Sequence, residues 1–186
     1  MVRLTDSMIK KLSEPGLWFL RSDHPMNDLS SLVYELAVKT GVPVTLQSCN
    51  KKQMQNAIIS KIRNEYIKSA HTENEKNWLE DEMSEYHTHG FFFYPEEMNY
   101  YVENGSFWSE YISFYEEDKL ILNKCTHKTV IVEDINAICY DDEQGYSQIF
   151  LMNYQEAIRN HYTVIVLVPA KSYGSATRFI DRHLLG

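Results

Sequence analysis

The chain has 186 residues, 44% of them hydrophobic and 24% charged, with 18 Lys and Arg against 26 Asp and Glu for a net charge of −8. That apolar content excludes intrinsic disorder. The acid excess excludes a protein that coats a phosphate backbone over its whole surface, and no apolar run is long enough to span a bilayer.

The N-terminal stretch MVRLTDSMIKKLSEPG is charged and lacks the apolar core of a secretory signal. From there to residue 70 the pattern reads strand–helix–strand–helix. Gly16-Leu17-Trp18-Phe19-Leu20 follows a Pro-Gly punctuator, as a buried strand would. Asp23 to Asp28 reads as a polar loop, and Ser30 as the cap of a helix with Leu32, Val33, Leu36 and Ala37 on its apolar face. Gly41 ends that helix. Val42-Pro43-Val44-Thr45-Leu46 reads as a second strand with Pro43 near its start. Lys51 to Ser69 reads as a helix with Met54, Ile58, Ile62 and Ile67 near one face.

Residues 71–118 differ. They read as an aromatic and acidic insert, helix-compatible over 73–86, with a second helix start at Pro95-Glu96-Glu97. Phe91, Phe92, Phe93, Tyr94, Tyr100, Tyr101, Phe107, Trp108, Tyr111, Phe114 and Tyr115 lie there among Glu96, Glu97, Glu103, Glu110, Glu116 and Glu117. Rings interleaved with bases would suit single-stranded nucleic acid, but rings interleaved with acids repel phosphate. The mixture suits a protein interface, with Phe91, Phe92, Phe93, Tyr94, Phe107 and Trp108 as contact candidates, or rings that pack the insert onto the sheet.

Alternation returns after 118. Thr129-Val130-Ile131-Val132 is a β-branched central-strand run. Ser147 to Asn160 reads as a helix with Ile149, Met152 and Ala157 apolar. Tyr162 to Val168 reads as a buried strand stopped by Pro169, and 174–185 as a short helix or strand-capping tail. Apolar strands alternating with amphipathic helices predict an α/β fold in three layers, a mainly parallel central sheet with helices on both faces. Right-handed crossovers follow. The length suits a single domain over 1–186.

Leu17 to Leu32, Gly41 to Met54 and Val130-Ile131-Val132-Glu133-Asp134 together resemble the ATPase core of RecA and the DnaB-type replicative helicases. They stand where that family has its strand–phosphate-loop–helix, its next strand and helix, and its Walker B strand. The resemblance implies a RecA-like P-loop scaffold. A phosphate loop needs glycines whose N–H groups curl around phosphate, a Lys for the β- and γ-phosphates, and a Ser or Thr for Mg²⁺. Here the loop reads HPMNDLSS, with neither glycine nor lysine. The degenerate loop positions are Asp23, His24, Asn27, Asp28 and Ser30, with Asn27 or Asp28 where Gly-Lys would stand. A carboxylate facing triphosphate repels it by about a few kcal/mol at short range. The glutamate that activates water in the helicases is missing from Gln47-Ser48-Cys49-Asn50. Asp134 matches the Walker B acid, with Glu133 beside it. As adjacent residues on a strand they would point to opposite faces. A strand-end acid that caps locally is the competing reading of Asp134.

Other chemistry is thinner. His87, His89, Cys125 and His127, with Cys49 or Cys139, lack zinc-ligand spacing, so no metal is expected. Three cysteines without a regular spacing exclude a disulfide framework and suit a reducing cytoplasmic setting. No nucleophile elbow occurs, and Gly174-Ser175 reads as a loop. Lys51, Lys52, Lys61, Arg63 and Lys68 form a basic patch whose commoner reading is a solvated helix face. The expectation is a non-catalytic RecA/helicase-like domain, without a cofactor, acting as an interaction or regulatory protein. The resemblance sets it in DNA replication, recombination or repair, docked on a RecA/helicase-type ATPase or on itself. Two alternatives stand beside it. One is a nucleotide-binding protein or enzyme with Asp23, His24, Asp134 and Lys171 converging at the strand ends. The other is a single-stranded-DNA-binding accessory protein.

Overall fold

The computed structural model describes residues 4–48, 50–68, 110–138, 146–169 and 177–185. Its centre is a five-stranded, all-parallel sheet in the order β1-β5-β4-β2-β3. The strands are β1 (Gly16–Ser22), β2 (Val44–Gln47), β3 (Ile112–Tyr115), β4 (Thr129–Val132) and β5 (Thr163–Pro169). The helices are α1 (Asp6–Leu12), α2 (Pro25–Val33), α3 (Lys51–Lys68), α4 (Tyr146–Arg159) and α5 (Thr177–Arg182).

Side chains alternate across a strand, so a sheet covered on both faces needs apolar residues at nearly every position. In β5, Ile165 and Leu167 join Leu29, Leu32, Leu46, Met54 and Ile58 in the layer under α2 and α3. Val164, Val166 and Val168 join Leu17, Phe19, Phe150 and Ala157 in the layer under α4. The three-layer α/β expectation holds.

Gly41 ends the helical run as expected. The run continues past Val33 as a wider, π-helical turn over Tyr34–Lys39, and Gly41 then takes φ +68°, the left-handed conformation that lets Val42 N–H donate to Leu36 O at 2.9 Å. Met54, Ile58 and Ile62 are buried along α3 as expected. Pro43 stands just before β2, where its missing N–H costs no ladder bond.

Other expectations are corrected. Ser30 caps nothing: α2 begins at Pro25, after His24, and Ser30 lies inside the helix with its hydroxyl donating to Asn27 O at 3.0 Å. Pro25 brings a preset helical φ to the first turn, which moves the start forward. The stretch read as an insert contains a sheet strand. Residues 112–115 are β3, paired in register with all of β2 from Val44↔Ile112 to Gln47↔Tyr115. Met152 is not on the packed face of α4, which is carried by Phe150, Asn153 and Ala157. The helix α1 was not anticipated. Both readings of the C-terminal stretch hold: α5 is a short helix, and the residues after it cap β1. Phe19 N–H donates to His183 O at 2.9 Å and Phe19 O accepts from Leu185 N–H at 2.8 Å. Lys11 of α1 locks this tail by donating to Leu184 O at 2.6 Å.

Candidate functional site

Ligands of open parallel sheets bind outside the carboxyl ends of the strands. Here those ends carry one device twice. Ser22 closes β1, and its hydroxyl accepts from His24 N–H at 3.1 Å while donating to Asp28 Oδ2 at 2.7 Å. Ser48 follows β2, and its hydroxyl accepts from Asn50 N–H at 3.2 Å while donating to Glu133 Oε2 at 2.7 Å. Each serine bends the chain from strand to helix by satisfying the amide two residues on. Each also holds a carboxylate. Among the described residues no imidazole hydrogen-bonds to either hydroxyl, and His24 reaches Ser22 only through its backbone.

At the first junction only Asp23 and His24 separate β1 from α2. Pro25 removes a backbone donor from the first turn of the helix. Asn27, Asp28 and Ser30 are helical, not loop. Asp28 is buried, with Ser22 on its carboxylate.

At the second junction Asn50 caps α3. Its Oδ1 accepts from Gln53 N–H at 3.1 Å and its Nδ2 donates to Gln53 Oε1 at 3.0 Å. Glu133 lies just past β4, and its N–H extends the ladder to Gln47 O at 3.2 Å. Asp134 turns away into the surface, where its Oδ1 accepts from Asn136 N–H at 2.9 Å and caps a single helical turn over Ile135–Ala137. The local-cap reading of Asp134 describes its geometry. Glu133 is the acid that faces another strand end.

Beside α2 a cleft of about 290 Å³ is lined by His24 just before α2, by Asn27, Asp28, Ser30 and Ser31 from α2, and by Ser60, Lys61, Asn64, Glu65 and Lys68 from α3. Lys61 and Lys68 share Glu65, at 2.9 and 2.8 Å. Burial pushes the Glu65 carboxyl up, but the hydrogen bonds from Lys68 and Lys61 outweigh it and hold it below its ordinary range. Burial, with Glu65 and Glu35 nearby, raises the Tyr34 phenol, over whose ring Lys61 sits at 5.7 Å. The cleft's two lysines balance Asp28 and Glu65, so it selects neither sign of ligand.

No protein-family model, curated protein or solved structure matches this chain.

The remaining sequence candidates fall as follows. Phe91, Phe92, Phe93, Tyr94, Phe107, Trp108, His87, His89, the helix start at Pro95, Cys49, Cys139, Lys171, Gly174 and Ser175 lie outside the described residues. Asp23 and His24 follow β1 while Asp134 follows β4, and β5 lies between, so they sit about 10 Å apart by strand spacing alone. Burial pushes the Cys125 thiol up to about 11, which keeps it protonated near neutral pH and a poor metal ligand. Among the described residues no group of three His, Cys, Asp or Glu side chains could hold a metal. The basic patch is largely paired, with Lys51 3.7 Å from Glu116 and Lys61 and Lys68 on Glu65. The two serines were missed as site residues. A serine two positions before the helix-capping residue at both strand ends, Ser22 before His24 and Ser48 before Asn50, is the signal that would have found them.

Proposed function

We propose that this chain is a non-catalytic, RecA/helicase-like α/β domain that acts as an interaction or regulatory protein. The setting that the resemblance supplies is DNA replication, recombination or repair. The observation that carries the non-catalytic part is the β1–α2 junction. The chain passes from Ser22 to Pro25 with only Asp23 and His24 between, and Asp28, one turn into α2, answers the Ser22 hydroxyl. A polyphosphate brought to that turn would meet a fixed carboxylate in place of a lysine. Support for the scaffold comes from the all-parallel sheet covered on both faces and from Glu133-Asp134 directly after β4.

The test is a thermal titration with Mg-ATP. A ligand at about 100 times its Kd stabilises by about 2.7 kcal/mol, which raises Tm by several degrees in a chain of this size. The expected result is no shift at millimolar Mg-ATP. A stabilisation of several degrees would overturn the reading. A second reading, a small-molecule site at the strand ends, is favoured by the cleft beside α2. The same titration, run with nucleosides and nucleotides and followed at Asn64 and Lys68 resonances, separates it.

A further inference from the structure

β1 is an outer strand of the sheet, and an edge strand presents a row of outward N–H and C=O groups on which another strand can pair. Parallel pairing turns the main chain of every second residue to the same side. Gly16 N–H donates to Tyr162 O on the β5 side, so Leu17, Phe19 and Arg21 turn their main chain outward. Phe19 is met there by residues 183–185 in a single parallel bridge. His183 O accepts from Phe19 N–H at 2.9 Å, and Leu185 N–H donates to Phe19 O at 2.8 Å.

What holds this bridge is unevenly placed. Before it, Arg21 pairs with Asp181 at 2.7 Å, and the His183 ring packs edge-on against Tyr154 with centroids 5.7 Å apart. At its end Leu185 is fully buried, and Lys11 Nζ donates to Leu184 O at 2.6 Å and to Leu185 O at 3.4 Å. β5 is held far more firmly, with β1 on one side, β4 on the other and every side chain from Val164 to Val168 buried. Stability is spread unevenly through a fold, and segments with few buried contacts open first. Lys11 belongs to α1, whose one buried residue is Met8. The bridge therefore depends on a side chain 173 positions away, carried by a helix that itself packs lightly.

We propose that residues 183–185 are a strap on the β1 edge, pinned by the Lys11 ammonium, which opens below global unfolding and bares the Phe19 N–H and C=O for strand pairing. Closed, the strap guards the edge; open, it leaves a template to which an extended segment can add. Lys11 is a positioning residue, acting on the edge through the strap carbonyls it holds. The strap goes beyond the interaction-domain reading above and does not depend on it.

The experiment is native-state hydrogen exchange of the full chain, read at single amides. The expected result is that Leu185 and Phe19 N–H exchange through one common opening, at least about tenfold more often than the Ile165 and Val166 N–H groups inside the sheet. Lys11→Met keeps the apolar stem and removes the donor. It should lower protection at Leu185 and Phe19 by about tenfold and leave the β5 amides unchanged. Lys11→Arg, which still donates, should recover most of that protection. Exchange at Leu185 and Phe19 that matches β5 in the unaltered chain overturns the proposal, because the segment then opens only with the whole fold. So does a Lys11→Met chain whose loss is absent, is equal in β5, or is not recovered by arginine.

Discussion

The two strand-to-helix junctions use the same hydroxyl differently. Ser22 takes its carboxylate from Asp28, one turn into the helix that follows it, so the first junction is closed by local chain. Ser48 takes its carboxylate from Glu133, which belongs to the end of another strand, so the second junction ties β2 to β4. The helix starts differ in the opposite sense. α2 has no side-chain cap and relies on Pro25, whereas Asn50 caps α3 with both ends of its amide. The local junction therefore spends an acid where an anion-binding turn would need none. The long-range junction contributes to the sheet and leaves its helix start conventionally satisfied.

Substitutions at the two serines should separate these roles. Ser22→Ala removes one hydrogen bond from the buried Asp28 carboxylate, which costs about 1–3 kcal/mol. Urea unfolding should show that loss, and a loss well below it would mean that the Ser22–Asp28 contact contributes little. Ser48→Ala should cost less, about 1 kcal/mol or under, because Glu133 is only half-buried and water can replace the hydroxyl. Equal losses at the two sites would remove the distinction drawn between them.

A smaller effect lies at the other end of the sheet. His127 precedes β4 and donates its backbone N–H to Thr45 Oγ1 at 2.9 Å, and burial lowers its imidazole below the ordinary 6.5. A depressed histidine favours the neutral form in the folded state. Its stability contribution is therefore whole above 6.5 and is lost as pH falls through the lower folded value. Tm should drop across that window in the wild type and drop less in His127→Gln. An identical pH profile for the two would remove His127 as a source of the acid sensitivity.

Much of the fold was legible. β1, β4 and β5 stood out as apolar runs because both faces of the sheet are covered, and α3 stood out by the spacing of Met54, Ile58 and Ile62. The short helix α1 was not, since Met8 is its one buried residue and a single apolar position has no period. β3 was hidden because Phe114 and Tyr115 read equally well as part of an aromatic run. Of the site, Asp28, Glu133 and Asp134 were marked from sequence, but the partners of the first two were not. Nothing in the spacing of Ser48 and Glu133 announces a contact across 85 positions.

By itself the sequence determined the α/β alternation, the lack of glycine and lysine from Ser22 to Ser31, and the acids that follow β4, because these depend on residue type and local period. The tertiary structure alone decided that Ile112–Tyr115 is a sheet strand, that the tail covers β1, and that α4 turns Met152 outward. It also decided that Asp28 closes the junction it follows. Each of those depends on which surface another part of the chain already occupies, and no local pattern carries that information.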